Sequence, residues 1–272
     1  MKYQKIKIIV AGCDIHCIID KSYLIGVDLM KNCKLIAAWL FSLSLIFVLL
    51  VSCIDFHAFN KNYYYQEYAA LNTATNLGMS EDDLNAATDA LLDYLHDERQ
   101  DILVTGEVFG VEREIFTERE TLHMIDVKAL YQGVLTARNI AVLLAILMPA
   151  ILVFIFKREK GSMHELLNLL FKSFLQVSLC LLVAVAILAG YALMDFTAFW
   201  TGFHELFFTN DLWLLNPAES IMINMFPETF FAGMVFRITA SFIVIYGLVL
   251  VLLVILRKKT TVFDKKVIDK KS

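Results

Sequence analysis

Four long apolar runs leave this chain few ways to fold. They fall at residues 35–54, 138–157, 174–194 and 234–256. Each is long enough to cross about 30 Å of hydrocarbon, which takes roughly 20 helical residues at about 1.5 Å apiece. The second is unbroken from Asn139 to Phe156, and none of the runs carries an Asp, Glu or Lys in its middle. A soluble helix of such length would show a polar face. The runs therefore predict an all-α membrane protein with four transmembrane helices. Composition agrees, since 58% of the 272 residues are hydrophobic and only 3 are proline, far from the soluble average.

Basic residues resist translocation, so their placement in short loops predicts orientation. They gather in the N-terminal segment 1–34, in the loop 158–173 (Arg158, Lys160, Lys172, with Lys157 just before it) and in the tail 257–272, which opens Arg257-Lys-Lys259. These three segments are expected in the cytoplasm. The outer segments are 55–137, with 16 acidic and 5 basic residues, and 195–233, with 5 acidic and none basic. Without a basic stripe there, nucleic acid is excluded as a partner, whereas the basic tails suit anionic lipid headgroups. Of the cysteines only Cys53 lies near the outer side, so no outer disulfide is expected. Cys13 and Cys17 with His16 are too sparse a set for a metal site. Met30-Lys-Asn-Cys-Lys34 before an apolar run reads as an ordinary start, which makes Met30 the expected initiator. Leu50-Val-Ser-Cys53 resembles the lipidation site of a signal peptide, but losing the first span would leave a mismatched topology, so a retained span is the reading adopted.

The two outer segments are expected to form a cap. Ser80 followed by Glu81, Asp82 and Asp83 reads as a helix N-cap, and Leu84, Leu91, Leu92 and Leu95 follow at helical spacing. A short strand pair is expected at Ile102–Val104 and Val108–Val111 around Thr105-Gly-Glu107. Thr121 to Arg138 reads as a helix running into the second span. The second outer segment is dense in rings, among them Trp200, Phe203, Phe207, Phe208, Trp213, Phe230 and Phe231, side chains that favour the membrane interface.

Chemistry in such a chain falls to its outer histidines. His96 lies in an acidic helix surface and is read as solvated, and His57 follows the first span. His123 has Asp126 three residues on and Lys128 beyond it, and His204 has Phe207 and Phe208 beside it. An (i, i+3) carboxylate shares the imidazole's helix face and can orient it. An interfacial histidine satisfied by a carbonyl or a headgroup is the bland alternative for each. No HExxH or comparable spacing supports a metal, and no nucleophile motif occurs outside. Arg237, a cation at the outer start of the fourth span, needs an anion such as Glu228, a headgroup phosphate or a substrate carbonyl.

His-Met-Ile-Asp-Val-Lys (123–128), His-Glu-Leu-Phe-Phe (204–208) followed by Trp213, Leu214 and Pro217, and Phe226-Pro-Glu-Thr-Phe-Phe231 together resemble the Lit family of bacterial membrane proteins, over about residues 35–256. The resemblance implies a lipoprotein intramolecular transacylase of the bacterial plasma membrane, with four helices, an extracellular cap and two catalytic histidines, here His123 and His204. The implied reaction moves the sn-2 acyl chain of a lipoprotein's diacylglyceryl group to the α-amino group of its N-terminal cysteine, leaving a lyso-form lipoprotein. It needs no cofactor, because a neutral imidazole can take the amine proton and return it to the glyceryl oxygen. His123 is expected as base, His204 as the group that protonates or polarises the ester, and Asp126 as orienting residue, with the two histidines able to exchange roles. The aromatic segment would exclude water.

Two other classes compete. A non-enzymatic lipid- or partner-binding membrane protein would leave both histidines dispensable, and a membrane acyl-ester hydrolase would release free fatty acid. A transporter would need ionisable residues and broken helices within its spans.

Overall fold

The apolar runs become helices, and the helices outgrow the runs. A computed structural model describes the backbone of residues 4–10, 13–19 and 21–269 and the side chains of 29–261. It is 79% helical. Strands β1 (Gln4–Val10) and β2 (Cys13–Ile19) pair antiparallel; the side chains of Cys13, His16 and Cys17, weighed above as a metal set, lie outside the described residues. Helices α1 (Lys21–Ala58), α5 (Glu118–Arg158), α6 (Met163–Met194) and α9 (Glu228–Asp269) contain the four stretches long and apolar enough to cross a membrane. The 41 residues of α5 amount to about 60 Å at 1.5 Å each, twice the hydrocarbon thickness. Its polar first half is the helix expected from Thr121 to Arg138, joined without a break to the apolar run.

The chain forms two compact units, one of residues 1–44, 143–179 and 252–272, the other of 45–142 and 180–251. In the first, Ala38, Leu152, Leu166 and Leu170 pack together with Phe41 and Phe156 beside them. A small residue such as Ala38 lets helices approach closely in lipid, where packing rather than hydrophobicity joins them. Trp39 Nε1 donates to Gln176 Oε1 at 3.0 Å. Lys34 pairs with Glu159, and Arg257 lies 4.5 Å over the Phe171 ring.

The second unit has one apolar core drawn from both connecting segments: Tyr63, Tyr64 and Tyr68 with Leu84, Leu91, Ile102, Ile115, Met124, Ile221, Met225 and Phe230. Helix α2 (Lys61–Leu71) supplies the tyrosines, and a turn of helix, α3 (Thr73–Asn76), leads to α4 (Glu81–Leu95). Helix α4 starts as its sequence requires, with Ser80 Oγ accepting from Asp83 N at 3.0 Å and three acids at the positive end of the helix.

The strand pair is present but displaced. β3 (Thr105–Val108) pairs with β4 (Val111–Glu114), Val108 opposite Val111. The turn is therefore Phe109-Gly110, not Thr105-Gly-Glu107. Both turn residues have positive φ, 50° and 80°, as a two-residue type I′ turn requires. Phe109 N donates to Gly78 O at 2.7 Å, which explains why a non-glycine residue holds this conformation: the neighbouring chain fixes it.

A second correction concerns His96. It caps the C-terminus of α4, where its Nε2 lies 3.2 Å from Asp55 Oδ1 and 3.1 Å from the Tyr131 hydroxyl, with Phe59 against its ring. Asp55 also accepts from Tyr131 and, at 3.0 Å, from Arg138 Nη1. The histidine expected in solvent is part of a polar hub joining α1, α4 and α5. His57 Nε2 lies 2.7 Å from Ser241 Oγ.

Candidate active site

His123 sits near the start of α5, well before the apolar run that begins at Asn139. His204 sits in the last turn of α7 (Phe196–Phe207), a helix opened by Asp195, whose carboxylate accepts from Ala198 N at 2.9 Å. The two imidazoles, far apart in sequence, face each other with ring centroids 6.4 Å apart. Both are buried, at 8% and 6% exposure.

Rings enclose the pair. Trp213 stacks on His204 at 4.6 Å, Trp200 meets it edge-on at 4.5 Å, and Phe203 lies at 5.3 Å. Phe208 touches both histidines, 5.2 Å from His123 and 5.7 Å from His204. Phe207 packs on Phe203 at 5.0 Å.

Hydrogen bonding distinguishes the histidines. His204 Nδ1 lies 2.8 Å from the Trp200 carbonyl. A carbonyl only accepts, so Nδ1 carries the hydrogen and, in the neutral ring, Nε2 carries the lone pair. His123 Nδ1 is buried with no protein partner, the kind of orphan a ligand or water completes. Burial holds the His123 pKa below the ordinary histidine value, and the neighbouring His204 adds to the effect.

The expected supporting residues are placed unevenly. Asp126 forms no hydrogen bond with His123 among those described. It accepts from Asn210 Nδ2 at 2.8 Å, and the Asn210 carbonyl in turn accepts from Trp213 Nε1 at 3.0 Å. Asp126 thus anchors the loop whose backbone holds the tryptophan that covers His204. Arg119 of α5 donates to the Asp211 carbonyl, so α5 holds the 210–213 loop from both sides of His123. Sequence reasoning missed Asn210 and Arg119, because nothing local marks a contact across 84 or 92 residues.

Others lie elsewhere. Lys128 pairs with Asp97 at 2.6 Å and lies 4.3 Å over the Tyr94 ring, away from the pair. Phe230 is core, at 5.2, 5.1 and 5.8 Å from Tyr63, Tyr64 and Tyr68, and Phe231 is half exposed. Arg237 meets Glu67 at 3.9 Å and the Tyr63 ring at 4.6 Å, whereas Glu228 is exposed in the first turn of α9.

The model of the family described as lipoprotein intramolecular transacylase Lit matches residues 39–231. This chain belongs to the Lit family. No curated protein matches it. Among solved structures, it is similar to the Lit lipoprotein intramolecular transacylase of Bacillus cereus. A form with a histidine-to-arginine mutation is 19% identical with TM-score 0.65, covering 87% of this chain and 97% of that one. A histidine-to-alanine form is 18% identical with TM-score 0.62, covering 89% and 99%. At that identity the likeness establishes the Lit fold, a multi-pass membrane protein with four spanning helices. Membership makes this Lit protein an acyltransferase acting on lipoproteins.

Proposed function

We propose that this Lit protein transfers the sn-2 acyl chain of a diacylglyceryl lipoprotein to the α-amino group of the N-terminal cysteine, using His204 as base and His123 as hydrogen-bond donor. The observation that carries this reading is the buried imidazole pair inside an aromatic enclosure. The amine nitrogen attacks the ester carbon, and His204 Nε2 takes the N–H proton as the C–N bond forms. The same proton passes to the glyceryl oxygen as the C–O bond breaks. The products are an N-acyl cysteine and a free sn-2 hydroxyl.

Of the two role assignments left open, the hydrogen bonding of His204 supports the one with His204 as base. His204 Nδ1–H, held by the Trp200 carbonyl, leaves Nε2 basic, as an oriented second nitrogen does in other histidine bases. Burial favours a neutral His123, and a neutral imidazole stabilises a developing oxyanion through its N–H. Trp213, Trp200 and Phe208 keep water from the ester, which favours the amine over hydrolysis. The solved Lit forms with a substituted histidine accord with histidine catalysis.

The basic segments 1–34, 158–173 and 257–272 support cytoplasmic termini, an orientation in which the acidic segments 55–137 and 195–233, with the site, face outward. The deciding experiment is mass spectrometry of the N-terminal lipopeptide from a reporter lipoprotein in a host without N-acylation. An N-acyl lyso-form made by the unmutated protein and absent with His204→Ala is the expected result. Released fatty acid would mean a hydrolase, and unchanged peptide in both would remove the transfer reading.

A further inference from the structure

Glu120 stands one turn before His123 on α5, and none of it reaches solvent. Burying a carboxylate is costly unless its oxygens are filled. Here both are. Oε2 accepts from Thr117 N at 2.6 Å and Thr117 Oγ1 at 2.8 Å, while Oε1 accepts from Ser220 Oγ at 2.6 Å and Met222 N at 2.9 Å. The first two bonds, with Glu120 N donating back to Thr117 Oγ1 at 3.3 Å, make the capping box that starts α5. The other two reach 100 residues along the chain to the N-terminus of α8 (Ile221–Met225), whose cap is Ser220.

One side chain therefore caps two helices. α8 is seated in the core through Ile221, Met222 and Met225, so it is a fixed point, and Glu120 ties the His123 turn of α5 to it. The chemistry of the tie is strict. Backbone N–H groups approach each oxygen, and they can only donate. A glutamine has one acceptor oxygen, and its NH2 would meet an N–H at the other end.

We propose that Glu120 is a positioning residue of the transacylase, holding the His123 imidazole in register with His204 by capping α5 and α8 together. The inference rests on the histidine-pair reading, and misplacement of a catalytic group by about 1 Å costs on the order of a hundredfold.

The test compares the full-length protein, Glu120→Gln and Ser220→Ala with a diacylglyceryl lipopeptide. For Glu120→Gln, kcat per folded molecule is expected to fall at least about tenfold with KM within about threefold, the pattern of an interaction used only in the transition state. Ser220→Ala, which removes one of the bonds, should fall less. Independently of turnover, carbethoxylation of His123 by diethyl pyrocarbonate, mapped by mass spectrometry, should be several-fold faster in Glu120→Gln. Parental kcat per folded molecule together with a parental labelling rate would overturn the proposal, because a purely stabilising residue lowers the melting temperature and nothing else. If Glu120→Gln does not fold, Ser220→Ala carries both measurements. If even the unmutated protein transfers no acyl chain, the reaction reading fails, and the labelling rate alone decides the role of Glu120.

Discussion

At the residue scale, the proposed reaction rests on two buried imidazoles, those of His123 and His204. Replacing either His123 or His204 by alanine is expected to lower turnover at least about a hundredfold, the usual size of lost general acid or base work; the lipopeptide assay reads this directly. The pH dependence follows from burial. Because the charged form of His123 is disfavoured, His123 stays neutral as pH falls through the ordinary histidine value of about 6.5. Its contribution to the acid limb of the kcat profile should thus lie below that pH. An NMR titration of the His123 ring with its midpoint at or above that value would mean that burial does not hold it neutral. Asn210 offers a separate check, since it links Asp126 to Trp213. Asn210→Ala keeps the backbone carbonyl that holds Trp213 but unties its loop from Asp126, and the looser cover over His204 should raise the ratio of released fatty acid to N-acyl product.

At the element scale, turns and caps carry the local instructions. Gly110 has φ 80°, a conformation that costs other residues about 1–2 kcal/mol. Gly110→Ala should destabilise the cap by about 1 kcal/mol, measured as a lower melting temperature in detergent. Ser80→Ala should cost a similar amount, about 1 kcal/mol, through loss of the N-cap. Helix α4 was legible in the sequence because its cap, first-turn acids and leucine spacing all lie within the element. The register of β3 and β4 was not, because Thr105-Gly-Glu107 and Phe109-Gly110 are both plausible turns in isolation. The Gly78 carbonyl, which takes the Phe109 amide, chooses between them.

At the scale of the whole molecule, the acidic and basic segments predict sidedness. With native cysteines removed, Gln100→Cys should react with a membrane-impermeant maleimide in intact cells, and Lys258→Cys only after permeabilisation. The reverse pattern would invert the topology and put the histidine site in the cytoplasm.

The sequence by itself determined the four spans, the aromatic character of the second connecting segment and the candidacy of His123 and His204, because apolar length and residue chemistry are properties of contiguous chain. Only the tertiary structure decided that these histidines face each other, that Asp126 reaches Asn210, that Arg237 meets Glu67, and that Phe230 is core. Each of these is a contact between residues distant along the chain, fixed by how helices pack, and periodicity within a segment carries no information about a partner outside it.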